Sequence, residues 1–189
     1  MLCIYSSSIL RAQTDEQSIQ RIIVDFLNWH NTQEHDMVNN NFKVVRYAPY
    51  TKKLERIKLV SSGVEKRLAF YRQSNFLSNS FINNLRGNFL DIGELLHKSP
   101  PVPKGERIRI PGLDLDMILQ GYEPELVLDF IDKGQFKKIS VLSNKSIAQF
   151  YIPDTQIVVV FTLSKFHDNW LIDSIDYDHE LGAELSKPQ

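Results

Sequence analysis

His30 falls on the apolar face of a helical stretch, where an imidazole can serve as an acid, a base or a ligand-positioning donor. The plainer reading is a buried ring hydrogen-bonded to backbone, or a residue at a fraying helix end. Asp114 and Asp116, in "GLDLD", alternate with leucines. In extended backbone both carboxylates would face one way, to bind a cation or basic partner, or to crowd until one has a raised pKa. Against that stands an exposed loop whose leucines plug the core, since most carboxylates stay solvated. His30, Glu34, His35 and Asp36 raise the question of a metal, but only His30 and Glu34 share a face at i, i+4, and "HExxH" is absent. That stretch reads as a solvated helix end, and no metal is expected. No cofactor is expected either. The chain lacks a nucleophile elbow, a phosphate-cradling glycine loop, zinc-finger spacing and a dinucleotide fingerprint.

The bulk numbers narrow the class. A chain of 189 residues is the size of one domain and buries enough surface to need no staples. Its 22 basic and 23 acidic residues leave a net charge of −1, with no basic stripe along the sequence, so no nucleic-acid partner is expected. Residues 1–12, "MLCIYSSSILRA", have the short apolar core and terminal Ala12 of the back half of a secretory signal, which points to export to the periplasm or beyond. Cleavage there would remove Cys3, the single cysteine, and leave a chain without thiols or disulfides. No later segment approaches the roughly 20 apolar residues of a membrane span.

The elements that must position these side chains are helices first and strands last. Ile19, Ile22, Ile23, Phe26, Leu27 and His30 keep helical spacing within a helix over about 15–36, with Thr14 or Asp15 as its cap. Residues 39–62 read as an insert, rich in asparagine and basic residues, with "FKVVRY" and "LERIKLV" as short strands. "VEKRLAFYRQ" is a short helix. A longer one, capped by Ser78 or Ser80, runs to about His97 and carries the costly Gly87 and Gly93. After the proline break "KSPPVPKGE" and a loop to about Glu125, four strands in sequence predict an antiparallel meander. The fold class is α+β, a curved sheet wrapped around N-terminal helices, with a flexible tail over 181–189.

The closing hairpin, "TQIVVVFTLSKFHDNWLIDSIDY", decides whether its aspartates converge. Ile157, Val159, Phe161 and Leu163 share a face, with Val158 and Val160 opposite, as in a central strand. Trp170 and Ile172 have one parity, Ile175 and Tyr177 the other. A bulge near Asp173–Ser174 puts all four on one face. Asp168 then belongs to the turn, Asp173 to the bulge and Asp176 to the face opposite Tyr177, so they form no common site. Val158 and Val160 need cover, which a homodimer through the outer face or the 39–62 insert would supply.

"VVVFTLSKFHDNWLIDSIDY", with its Trp-x-Ile-x-x-Ile ending, and the opening helix "IQRIIVDFLNWHN" resemble the nuclear-transport-factor-2-like, or cystatin-like, superfamily. With "FLSNSFINNL" and "LDLD", the chain is most similar there to a bacterial, commonly exported family catalogued as a domain of unknown function. The resemblance covers about 18–177 and implies a cone-like α+β fold with a cavity. Enzymes on that scaffold pair an acid or base with a tyrosine donor in an apolar pocket, which would make Tyr71 and Tyr177 donors and His30 or Asp114 the base. The leading expectation is a non-enzymatic binding module for a protein partner or a small apolar ligand. The alternatives are a small-molecule isomerase, dehydratase or hydrolase using the cavity, and a toxin-immunity protein.

Overall fold

The computed structural model of the chain describes residues 3–39, 42–121 and 123–185, with the side chains of the first helix described over 15–33. The order is α1 (Cys3–Asn39), β1 (Val45–Pro49), β2 (Leu54–Leu59), α2 (Ser61–Gln73), α3 (Asn79–Lys98) and β3 (Val102–Pro103). Then come α4 (Glu125–Leu128), a 3-10 turn (Ile131–Lys133), β4 (Gln135–Leu142), β5 (Lys145–Ile152), β6 (Ile157–Phe166), β7 (Asn169–Tyr177) and α5 (His179–Leu185). The α+β arrangement expected from the sequence is the one observed. Helices dominate the N-terminal half and an antiparallel meander, β4-β5-β6-β7, closes the chain. That sheet is open and uncurled rather than closed into a cone.

The last strand bulges where parity requires it. Thr162 pairs with Ser174 and Leu163 with Ile172, so Asp173 is the extra residue. Trp170, Ile172 and Ile175 therefore all reach the core, each at most 2% exposed, alongside Phe161 and Leu163. β6 lies between β5 and β7, as expected of a central strand. Phe76–Ser78 covers the free edge of β7: Ser78 N–H donates to the Ile172 carbonyl and Ile172 N–H to the Phe76 carbonyl, each at 2.9 Å.

Helix α1 lays Ile19, Ile23, Phe26, Leu27 and His30 against this sheet. It begins well before Thr14 and Asp15, so neither caps it. Asp15 instead accepts hydrogen bonds from Lys165 Nζ and Trp170 Nε1, tying the helix to β6 and β7. The side chains of the expected signal segment, 1–12, lie outside the described residues, as do those of Glu34, His35 and Asp36. Among the described residues no helix is long and apolar enough to cross a membrane.

Ser78 caps α3 by accepting from Phe81 N–H. The helix bridges two cores, giving Phe81, Ile82, Leu85 and Phe89 to the main one and Ile92 and Leu96 to a smaller one with Ile57 and Ile110. The expected insert supplies that second core: β1 and β2 pair as a hairpin, β3 adds a short third strand, and Leu59 packs onto α3 at Gly93. At Gly87 an added methyl would meet open space. Gly87→Ala should therefore raise stability by about 1 kcal/mol, read as a higher urea midpoint, because alanine loses less backbone entropy in a helix.

One expectation is corrected at the C-terminus. The tail predicted from 181 is helical through Leu185, because α5 docks on the start of β6, with Asp178 N–H donating to the Val158 carbonyl at 3.0 Å. Val158 is thereby buried within its own chain, without the insert or a second copy.

Candidate functional site

Asp116 organises the loop between β3 and α4. Its Oδ1 accepts from the N–H groups of Ile118 and Leu119, both at 2.7 Å, and its own N–H donates to the Gly121 carbonyl at 2.8 Å. This is the turn a short acidic side chain makes with the backbone following it. It drives Ile118 and Leu119 into the core, where both are fully buried. The plug is thus Ile118–Leu119, three residues past the second leucine of "GLDLD".

The other carboxylate oxygen, Oδ2, lies 2.7 Å from His30 Nε2. His30 is fully buried, and its ring stacks on Phe26 with the planes 7° apart. With Asp116 ionised, Nε2–H is the donor. Nδ1 is buried without a hydrogen-bond partner. Burial alone would push the Asp116 carboxyl up. The His30 hydrogen bond and charge and the two backbone donors outweigh it and hold it below the usual carboxylate range.

The charge of this carboxylate reaches two tyrosines. Tyr71, buried on α2, and Tyr177, on β7, both have hydroxyls pushed up to about 12, by burial first and by the negative charge of Asp116 in addition. Arg67, one helical turn before Tyr71, works against the shift of Tyr71. Tyr177 donates to the Leu119 carbonyl at 2.6 Å, which ties β7 to the same loop. Of the four cavity candidates, His30 bonds Asp116 directly, while Tyr71 and Tyr177 are linked to it through its charge.

Asp114 is the candidate the structure sets apart. The loop turns rather than extends, so alternation does not align the two carboxylates. Asp114 points to Arg109 and to the Gly112 N–H instead. Burial raises its pKa, but Arg109 and the backbone donors bring it below the ordinary value. The signal that would have separated the two is the apolar pair Ile118–Leu119 just after Asp116, which marks a loop turning inward.

These groups clamp α1 to the loop, with the His30 ring fully buried beside Phe26 and Trp29 and held by Asp116. Tyr71 offers a pH test of this packing. An unfolded tyrosine ionises near pH 10 and Tyr71 near 12, so stability should fall as pH rises between those values, by up to about 3 kcal/mol. Urea unfolding at about pH 9 and about pH 11 should show a smaller loss in Tyr71→Phe than in the parent.

A further open space lies on the other side of the sheet. A groove of about 420 Å³ is lined by Ser140, Leu142, Lys145, Ile147, Thr162 and Asp173, among others. Leu142 and Ile147 are 79% and 52% exposed, and Phe166 projects from the same face. The bulge residue Asp173 holds the rim, accepting from Lys145 Nζ and Ser164 Oγ, both at 2.9 Å. Burial would raise its carboxyl, but hydrogen bonds from Ser78, Lys145 and Ser164 hold it low.

Asp168 sits in the β6–β7 turn and Asp176 is exposed on the outer face opposite Val160, so the hairpin aspartates do not meet. Among the described residues, no three His, Cys, Asp or Glu side chains are grouped to hold a metal ion. The chain was compared with protein-family models, with curated proteins and with solved structures, and none of the three comparisons gave a match.

Proposed function

We propose that the chain is an exported, non-enzymatic binding module of the nuclear-transport-factor-2-like kind, which holds a protein partner on the outer face of its four-stranded sheet. One observation carries this reading. The side facing the helices is filled by Phe26, Phe150, Phe161 and Trp170, while the outer face presents exposed leucine, isoleucine and phenylalanine around an open groove. An apolar patch rimmed by polar groups is the usual anatomy of an interaction site. A small apolar ligand in the same groove is the lesser form of this proposal. Export rests on the pattern of residues 1–12.

The double variant Leu142→Asp/Ile147→Asp changes only exposed side chains. It should melt like the parent while losing the protein that the parent retains from an envelope extract, and losing the fluorescence enhancement of anilinonaphthalene sulfonate. Identical retention and fluorescence in the two would sink the proposal.

The His30–Asp116 hydrogen bond, with the charge of Asp116 reaching Tyr71 and Tyr177, favours a second reading, a small-molecule enzyme. It needs His30 to meet solvent. Diethyl pyrocarbonate should modify the exposed His97, His167 and His179 in the native state and spare His30. Rapid modification of His30 would instead support catalysis.

A further inference from the structure

The cations scattered through the insert become a patch once β1 and β2 pair. Residues 43–58 carry six Lys or Arg and one acidic residue, Glu55, a net +5 in a chain of net −1. Arg46 lies directly across the hairpin from Lys58, and Arg56 follows two residues before it on the same face. Like charges directly opposite each other weaken a strand pair, and this face turns away from Ile57 and the second core. β3 and its loop bring further positive charge. Lys104 N–H donates to the Lys53 carbonyl, whereas Arg107 belongs to the hairpin's other face, its guanidinium 4.2 Å from the centre of the Tyr47 ring, which pairs with Ile57.

Elsewhere Arg86, Arg109, Lys133, Lys145 and Lys165 each meet a carboxylate. Among the described residues, Arg46, Arg56, Lys58 and Arg107 form no ion pair. The Arg56 guanidinium instead lies 4.9 Å from the centre of the exposed Tyr50 ring, and its Nε is buried without a hydrogen-bond partner. Stacking holds an arginine in place and leaves its in-plane N–H groups to fork onto a carboxylate. Arginine and tyrosine are also the residues on which interface energy concentrates.

We infer that the outward face of the β1–β2 hairpin, centred on Arg46, Arg56 and Lys58, docks an acidic segment of a protein partner. This deepens the protein-partner reading above and names a second contact surface for it. A long phosphate polymer fits less well. The hairpin strands are short, and the α4 and α5 ends of the molecule expose Glu123, Glu125, Asp129, Glu180 and Glu184, which would repel a polyanion running on past the patch.

The test is fluorescence anisotropy with a short labelled Asp/Glu-rich peptide at low and moderate salt. The parent should bind it saturably and lose affinity as salt rises. Arg46→Glu should weaken binding about tenfold or more. It should also raise the melting midpoint slightly, since it places opposite charges across the hairpin, so lost binding cannot be blamed on lost fold. Leu142→Asp should leave peptide binding unchanged. If it does, and the outer-face test fails, only the outer-face reading falls. Absence of peptide binding at low salt overturns the inference. So does tighter binding of a single-stranded oligonucleotide of equal charge, or of phosphatidylglycerol vesicles.

Discussion

Asp116→Ala is expected to cost about 3–5 kcal/mol, the range for removing one partner of a buried ionic pair. Three groups lose their acceptor at once: His30 Nε2–H and the N–H groups of Ile118 and Leu119. Each is enclosed, because His30, Ile118 and Leu119 are all fully buried, so water cannot replace the lost carboxylate without opening the loop. Asp116→Asn separates the contributions. Its amide oxygen can still accept from the two backbone donors, while its NH2 group faces His30 and makes Nε2 an acceptor, which leaves the ring's hydrogen on the unpartnered Nδ1. The asparagine variant should therefore lose about 1–3 kcal/mol, less than alanine. Urea unfolding at neutral pH measures both, and a loss under about 1 kcal/mol in the alanine variant would refute the clamp.

The sign with pH follows from the lowered Asp116 carboxyl. An acid with a depressed pKa in the folded state contributes stability that is present above its unfolded value, near 3.9, and is lost as pH falls through the folded value. The parent should thus lose stability below about pH 4, and Asp116→Ala should lose less over the same range.

Gly63→Ala is the second large effect. A methyl built there would lie 2.0 Å from the Lys43 carbonyl oxygen and 2.7 Å from its carbon. Both are backbone atoms, in the segment that enters β1, and Val60 N–H donates to the neighbouring Val44 carbonyl at 2.8 Å. Nothing flexible can move aside. The first turn of α2 must lift off the hairpin, for a cost of about 3 kcal/mol, near the upper end for overpacking. A urea midpoint within error of the parent would show that the turn accommodates the methyl. The same change at Gly87 should have the opposite sign, so what each added methyl meets decides the outcome, not the substitution itself.

How much was legible follows from the range of the forces involved. The face of α1, a serine cap at 78 or 80, the meander and an extra residue near Asp173–Ser174 are written in patterns of a few residues. A misplaced apolar side chain would leave its own mark at that scale. The choice between Asp114 and Asp116 is not local. It depends on a histidine 86 residues earlier and on a turn made by the residues that follow. Alternation in "GLDLD" predicts extended backbone, whereas the segment turns. The helix α5 was missed because its seven residues are held by docking on β6, not by a strong periodic face of their own.

By itself, the sequence determined the α+β class, the closing four-stranded meander, the bulge and the dispersal of the hairpin aspartates, because burying alternate or helically spaced apolar groups leaves few solutions. Only the tertiary structure decided that Asp116 holds His30, that the helix-facing side of the sheet is filled and its outer face open, and that the insert's cations line up across a hairpin. Those outcomes depend on which distant groups meet, and a charge or hydrogen bond reads distance in space, not separation along the chain.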